Sequence, residues 1–297
     1  MTLRKLQVTP ADAGKCLDRF LDKALPGIDL STIHVRIRGK AANAGRKLWG
    51  NEEVEVELPE ARPVVAAPDA PEVPVLYQDT DLVVIDKPPG LVVESEGKGR
   101  SIVEIVGARV GGCESCGVAA PGVAHRLDRE TTGCLALARS DDALIKLKAA
   151  FGAGQVDKRY LAIVLGEPPD TLRLEGPYTR DPNDRRRFTT RTPSARRAAL
   201  SFTVRERLKG AALLEVVLET GRTHQIRVQA ADAGFPVLAD SLYGPDAVRQ
   251  HPAAAAIGRH ALHASKLRIS GSPTLKGVDV EAPLPADFER ALASLRA

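Results

Sequence analysis

Aromatic residues make up only 4% of this 297-residue chain, with one Trp, one Met and four Cys. So few cysteines exclude a disulfide-stapled scaffold. Cys113 and Cys116 form one C-x-x-C, while Cys16 and Cys134 stand alone. His125 could add a third zinc ligand, but no fourth completes a structural site, so no metal is expected and the cysteines read as reduced thiols. No run approaches the roughly 18 apolar residues of a membrane span. The opening MTLRKLQVTPADAGK lacks the apolar centre of a secretory leader, so a cytoplasmic protein without membrane attachment is expected. HExxH and GxSxG are missing. The stretch Gly90 to Lys98 spaces its glycines too widely for a phosphate loop, and no Ser or Thr follows Lys98, which argues against a nucleotide hydrolase.

What the chain does have is ordinary globular material, 43% hydrophobic and 27% charged, long enough for two domains. The net charge of +4 conceals its distribution. Leu30 to Gly50 holds Arg36, Arg38, Lys40, Arg46 and Lys47 and no acid, and Arg180 to Arg197 holds seven Arg against two Asp. Each patch carries +5, more than the whole chain. Arg outnumbers Lys by 29 to 13, and its planar fork suits phosphate, although a codon bias would produce the same excess.

Leu17, Phe20, Leu21 and Leu25 share one helical face, which Pro26-Gly27 ends. Glu53 to Leu58 alternates acid and aliphatic residues as a half-buried strand. These features predict a small first domain over residues 1–59. Residues 60–74, with four prolines, predict a semi-extended linker that lets it move, and residues 75–297 a larger second domain. That domain reads as strands at Leu82–Ile85, Leu91–Val93, Cys134–Ala138, Tyr160–Leu165, Ala199–Val204 and Leu213–Leu218. Helices are predicted at Asp141–Phe151, at Thr223–Ala233 with Thr223 as N-cap, and at Pro285–Leu295. Strands and helices mix without a βαβ rhythm, which predicts an α+β fold.

Three clusters could carry chemistry. In His125-Arg126-Leu127-Asp128-Arg129-Glu130-Thr131-Thr132-Gly133, a carboxylate sits among guanidinium groups, as a nucleophile, an electrostatic stabiliser or a structural ion pair would. In Gly221-Arg222-Thr223-His224-Gln225-Ile226-Arg227, basic side chains at a helix start suit an anion, or else form a solvated face. Tyr160 follows Lys158-Arg159 at the head of an apolar strand, where its ring could stack on a base or simply pack.

Taken in order, these clusters resemble the RluA-like family of RNA pseudouridine synthases. The resemblance spans roughly residues 75 to 290. It rests on DLVVIDKPPGLVV (from Asp81), HRLDRETTG (from His125), KRYLAIVLG (from Lys158), GRTHQIRVQ (from Gly221), DSLYG (from Asp240) and HALHASKL (from His260). The first domain resembles a ribosomal-protein-S-four-like RNA-binding module through KCLDRFLDKALPGI and WGNEEVEVEL, with a compressed middle. Thr132 stands where the family more often has Ser, and Glu94 where it often has His.

The resemblance implies a mixed, mostly antiparallel sheet with a central cleft, preceded by a small α/β RNA-binding domain. It implies isomerisation of uridine to pseudouridine in rRNA or tRNA, by a monomer, without metal or organic cofactor. Asp128 matches the catalytic aspartate, which would attack the sugar or, the favoured route, abstract its 2′ proton. Arg227 matches its arginine partner. Tyr160 matches the tyrosine that stacks on the target base and later removes the carbon 5 proton, and Arg126 the residue that fills the gap left by a flipped uridine. His125, Leu127, Arg222, His224 and Gln225 fall within the substrate-binding motifs. Two other readings stand beside this one. A non-catalytic RNA-binding or ribosome-assembly protein has less use for Asp128, Tyr160 and Arg227 together. A glycoside hydrolase wants two flanking carboxylates and aromatic platforms, and only Glu130 lies close to Asp128.

Overall fold

The computed structural model describes residues 2–25, 33–58, 62–63, 66–94, 100–112, 118–119, 121–272 and 275–297. Pro26-Gly27, Lys98 and the Cys113–Cys116 pair lie outside the described residues.

Near the amino end, four antiparallel strands pair in the order Thr2–Gln7, Glu53–Leu58, His34–Ile37 and Lys40–Ala41. The alternation in Glu53–Leu58 sends Val54, Val56 and Leu58 into a core shared with Leu17, Phe20 and Leu21 of the helix Leu17–Ala24. Glu53, Glu55 and Glu57 take the opposite face, where Lys5 lies 2.7 Å from Glu53 and Arg36 lies 3.4 Å from Glu57.

The larger sheet has ten strands. Its main path runs Thr171–Pro177, Arg197–Leu208, Ala211–Leu218, Val156–Leu165, Leu262–Ile269, Thr132–Ala138, Leu82–Lys87 and Val75–Gln78. All neighbours on this path are antiparallel except Thr132–Ala138 and Leu262–Ile269, near its middle. The apolar runs LVVI and CLALA reflect burial on both faces. Leu82, Val84, Cys134 and Ala136 enter a core under the helix Asp141–Gly152, while Val83, Ile85, Leu135 and Leu137 enter the main core with Ile226 and Phe288.

Two predicted elements differ from the structure. Residues 91–93 form no strand. The carbonyls of Val92 and Val93 instead accept from Ile102 and Val103, satisfying N–H groups that the start of the helix Ile102–Val110 leaves free. Within the Pro-rich segment, Arg62–Pro63 pairs with Val118–Ala119, Val73 is buried, and Asp69 meets Arg100 at 2.7 Å. The helix predicted from Thr223 runs Gln225–Asp232, with His224 rather than Thr223 at its N-cap.

Candidate active site

Asp128 lies in the loop that feeds the strand Thr132–Ala138 near the middle of the large sheet. The crossing into the strand depends on Gly133. Its φ is +106°, and a Cβ there would lie 2.2 Å from the carbonyl oxygen of Ala264 on the parallel neighbour. Only glycine fits both demands.

Consecutive loop residues behind Asp128 are held by buried groups. Lys87 Nζ donates to the carbonyls of Arg129 and Pro88, each at 2.8 Å. Burial lowers the Lys87 pKa to about 7. Arg259 donates to the Glu130 carbonyl at 3.0 Å while its guanidinium grips Asp287 at 2.7 and 3.1 Å. The Thr131 hydroxyl meets His260 Nε2 at 2.8 Å, and the Thr132 hydroxyl meets His263 Nδ1 at 2.9 Å. Burial pushes these imidazoles down, to about 3 for His260 and about 4 for His263, so both are neutral near pH 7. His263 Nε2 faces the Ala282 carbonyl at 3.3 Å and must donate to it, which leaves Nδ1 to accept from Thr132.

In front of the loop, the helix Gln225–Asp232 brings in Arg227. Its side chain is buried and engages two carboxylates. Nε and Nη2 bind Asp240 at 2.7 and 2.9 Å, and Nη1 binds Asp128 Oδ2 at 3.0 Å. Burial works against the Asp240 carboxylate, but Arg227 and the N–H groups of Leu242 and Tyr243 outweigh it, and its pKa falls below the usual value. The Asp128 side chain keeps 19% exposure, against 1% for Asp240. One arginine is therefore fixed by a buried acid and presented to an accessible one.

His224 has φ +58°. Its Nδ1 lies 2.8 Å from the Tyr243 hydroxyl, and that oxygen also accepts from Phe188 N–H at 3.0 Å. With Nδ1 at the Tyr243 hydroxyl, the ring turns Nε2 toward Asp128, 3.9 Å from Oδ1. Burial lowers the His224 pKa.

Tyr160 sits where the pairing of its strand with Leu262–Ile269 slips, between Arg159 and Leu161. Such a bulge re-aims a side chain. Burial, and then the charge of Asp128, push its phenol pKa up. Its hydroxyl has no hydrogen-bond partner among the described residues.

Asp128, Arg227, His224 and Tyr160 thus form one constellation, which Asp240 and Tyr243 complete. The remaining predicted site residues stand elsewhere. His125 Nε2 accepts from Ala136 N–H at 3.0 Å and its ring packs 4.7 Å from Phe151, so it pins the loop to the strand. Leu127 is in the core. Gln225 Oε1 accepts from the Thr220 hydroxyl and Arg222 N–H, and Nε2 donates to the Ala199 carbonyl. Arg126 is exposed, and Arg222 donates to the Arg197 carbonyl at 3.1 Å. In the Arg180–Arg197 patch, Asp184, Asp232 and Glu175 offset Arg186, Arg191 and Arg197, while Arg187 lies over the Tyr243 ring at 5.4 Å. No group of three or more metal-binding side chains occurs among the described residues, and no described helix is long and apolar enough to cross a membrane.

The pattern of the RNA pseudouridylate synthase family matches residues 81–232. Ribosomal large subunit pseudouridine synthase D of Xanthomonas campestris is 34% identical over 99% of this chain and 93% of its own. An RNA pseudouridine synthase of Chloroflexus aurantiacus is 33% identical over 99% of this chain and 94% of its own. Among solved structures, human RNA pseudouridylate synthase domain containing 4 is 26% identical with a TM-score of 0.58, over 75% of this chain and 93% of its own. Human RNA pseudouridylate synthase domain containing 1 shares the fold, with a TM-score of 0.60 over 72% of this chain and 84% of its own. The chain belongs to the RNA pseudouridylate synthase family, as an RluA-like member. Its activity is the isomerisation of uridine to pseudouridine in RNA.

Proposed function

We propose that Asp128 is the carboxylate that carries this isomerisation, with Arg227 as its partner and Tyr160 against the target base. The observation that supports this most is the sharing of Arg227. Its buried bond to Asp240 fixes the guanidinium, and Asp128 meets it through Oδ2 while staying partly open to solvent. The flipped uridine lies between Asp128 and Tyr160. Asp128 takes the 2′ proton as the bond from base to sugar breaks, leaving a glycal and a uracil anion. The uracil turns, carbon 5 bonds to carbon 1′, and the proton returns to carbon 2′. The carbon 5 proton then leaves, and one proton is taken up at nitrogen 1. A phenol whose pKa is pushed up stays protonated, so Tyr160 serves better as a stacking surface than as the base for that last step. Exposed Arg126 is placed to fill the vacated stack.

We assign the substrate to large-subunit rRNA, a reading supported by the name of the Xanthomonas campestris relative. Residues 1–59 form the RNA-binding module, 60–74 a tethered connector and 75–297 the catalytic domain of a cytoplasmic monomer. The test is Asp128→Asn, which keeps shape and a hydrogen-bond acceptor. RNA binding within about threefold of wild type with no pseudouridine formed is the expected result. Pseudouridine formed at the normal rate removes Asp128 from the reaction. Pseudouridine maps of total RNA with and without the protein identify the target, and a loss confined to tRNA overturns the rRNA assignment.

A further inference from the structure

The chain's one Trp is left in solvent. Trp49 is 71% exposed although an indole normally gains most from burial. Its backbone is nevertheless held. Trp49 N–H donates to Glu52 Oε2 at 2.9 Å, Glu52 N–H reaches back to the Trp49 carbonyl at 3.4 Å, and neighbouring Leu48 is buried. The same buried carboxylate organises the cations beside it. Glu52 Oε1 accepts from Arg46 at 2.9 Å and lies 3.7 Å from Arg38. Arg38, Lys40 and Arg46, with Ile37 and Ala41, line a surface hollow of about 420 Å³. Lys40 and Lys47 are exposed and have no ion-pair partner among the described residues.

An exposed indole on a held backbone, in a segment with four cations and a single buried acid already committed, favours one kind of ligand. A protein partner asks for contiguous apolar surface, and Lys47, Gly50 and Asn51, which flank Trp49 in the chain, are exposed and not apolar. A single-stranded nucleotide offers both a flat base to stack and phosphates for the cations.

We propose that this surface is a second RNA contact, separate from the catalytic carboxylate, in which Trp49 stacks on an unpaired base while Arg38, Lys40 and Lys47 neutralise flanking phosphates. This rests on the reading of residues 1–59 as an RNA-binding module and names the feature of the RNA that it takes.

Because Trp49 is the only tryptophan, the emission of the intact protein reports this site alone. Titration with rRNA fragments carrying unpaired segments is expected to quench it, reversibly by salt. A fully duplex RNA of the same length should leave it unchanged. Trp49→Phe is expected to hold the Kd within about threefold, whereas Trp49→Ala weakens binding about five- to a hundredfold, the range for loss of one stacked base. The loss should appear in KM, with kcat at saturating RNA preserved. The double change Lys40→Ala and Lys47→Ala should lower the salt slope of binding by roughly 1.4, two phosphate contacts on a single strand. Emission unmoved at RNA saturation with wild-type affinity in Trp49→Ala overturns the proposal, and so does equal quenching by duplex. Failure of the catalytic reading would look different: RNA bound and Trp49 quenched, with no pseudouridine formed.

Discussion

Replacing Asp240 by Asn separates the two acids that share Arg227. Asp240 is fully buried and receives two of the arginine's N–H groups, at 2.7 and 2.9 Å, together with the N–H groups of Leu242 and Tyr243. Asn keeps the shape but presents an NH2 where one of those N–H groups now arrives, and it removes the charge. Arg227 then remains buried with Asp128 as its sole carboxylate. Breaking one side of a buried ion pair costs about 3–5 kcal/mol, a large part of the about 5–15 kcal/mol that a domain has in total. The same change at Asp128 removes a partly exposed carboxylate and keeps an acceptor for Nη1, so its cost is about 1 kcal/mol. Turnover should rank the other way. Asp128→Asn abolishes it, whereas Asp240→Asn loosens the guanidinium that orients Asp128 and lowers kcat by about a hundredfold, the usual scale for a misplacement near 1 Å. Urea unfolding followed by circular dichroism measures the first quantity. Release of tritium from RNA labelled at uridine carbon 5 measures the second, because that hydrogen leaves when carbon 5 bonds to the sugar. An Asp240→Asn enzyme within 1 kcal/mol of wild-type stability and within threefold of its kcat would refute the assignment of the Arg227 charge to Asp240.

Two further changes probe the loop from behind. Gly133→Ala places a methyl group against the Ala264 carbonyl at a φ that disfavours any side chain; strain and overpacking together cost about 2–6 kcal/mol, and a soluble variant with the wild-type Tm would contradict the close approach. His125, its pKa lowered to about 3 by burial and then by Lys158, stays neutral in the fold while the unfolded chain takes up a proton below about pH 6.5. Its stabilising effect is therefore complete above that pH and is lost progressively as pH falls toward 3, at about 1.4 kcal/mol per unit. His125→Gln keeps an acceptor for Ala136 N–H without the titration, so its loss of stability between pH 6.5 and 5 should be smaller than wild type's by about 1.6 kcal/mol. Equal losses in urea unfolding at the two pH values would count against this role.

Periodicity made much of the fold legible. Glu53–Leu58 and the helices Asp141–Gly152 and Ala286–Arg296 lie within a residue or two of their predicted bounds, because each presents one apolar face to a core. The helix Ile102–Val110 had a readable signal, Ser101 and Glu104 closing a capping box, which apolar spacing alone does not isolate. The run Leu91–Val93 is as apolar as a strand, but nothing in its composition says that its carbonyls are spent on a helix start. At the site, clustering in the chain pointed to Asp128, His224 and Arg227, whose contacts span 96 to 99 positions. It could not separate them from Gln225 or His125, whose Nε2 atoms meet backbone groups of Ala199 and Ala136 that only the fold brings near. Asp240 stood in a motif and still passed unassigned. Its importance comes from complete burial, which composition does not encode.

The position of Asp128 follows from a division of charge. Placing a carboxylate near the centre of a sheet invites two failures: the loop can relax toward water, or the acid can be consumed by a structural ion pair. The first is opposed from behind. The carbonyls of Arg129 and Glu130 and the hydroxyls of Thr131 and Thr132 each end on a different buried side chain: Lys87, Arg259, His260 and His263. Moving the loop by a residue would leave several buried polar groups unpaired at once, each at about 1–3 kcal/mol. The second is opposed from the front. Two of the three N–H groups that Arg227 gives to carboxylates go to Asp240, so Asp128 receives one through Oδ2, while among the described residues Oδ1 has only the 3.9 Å approach of His224. A group held on one oxygen and open on the other is preorganised for proton transfer without having to break its support first. The same arrangement explains why Asp240 and Asp128, equal in chemistry and joined to one arginine, should answer so differently to the same substitution.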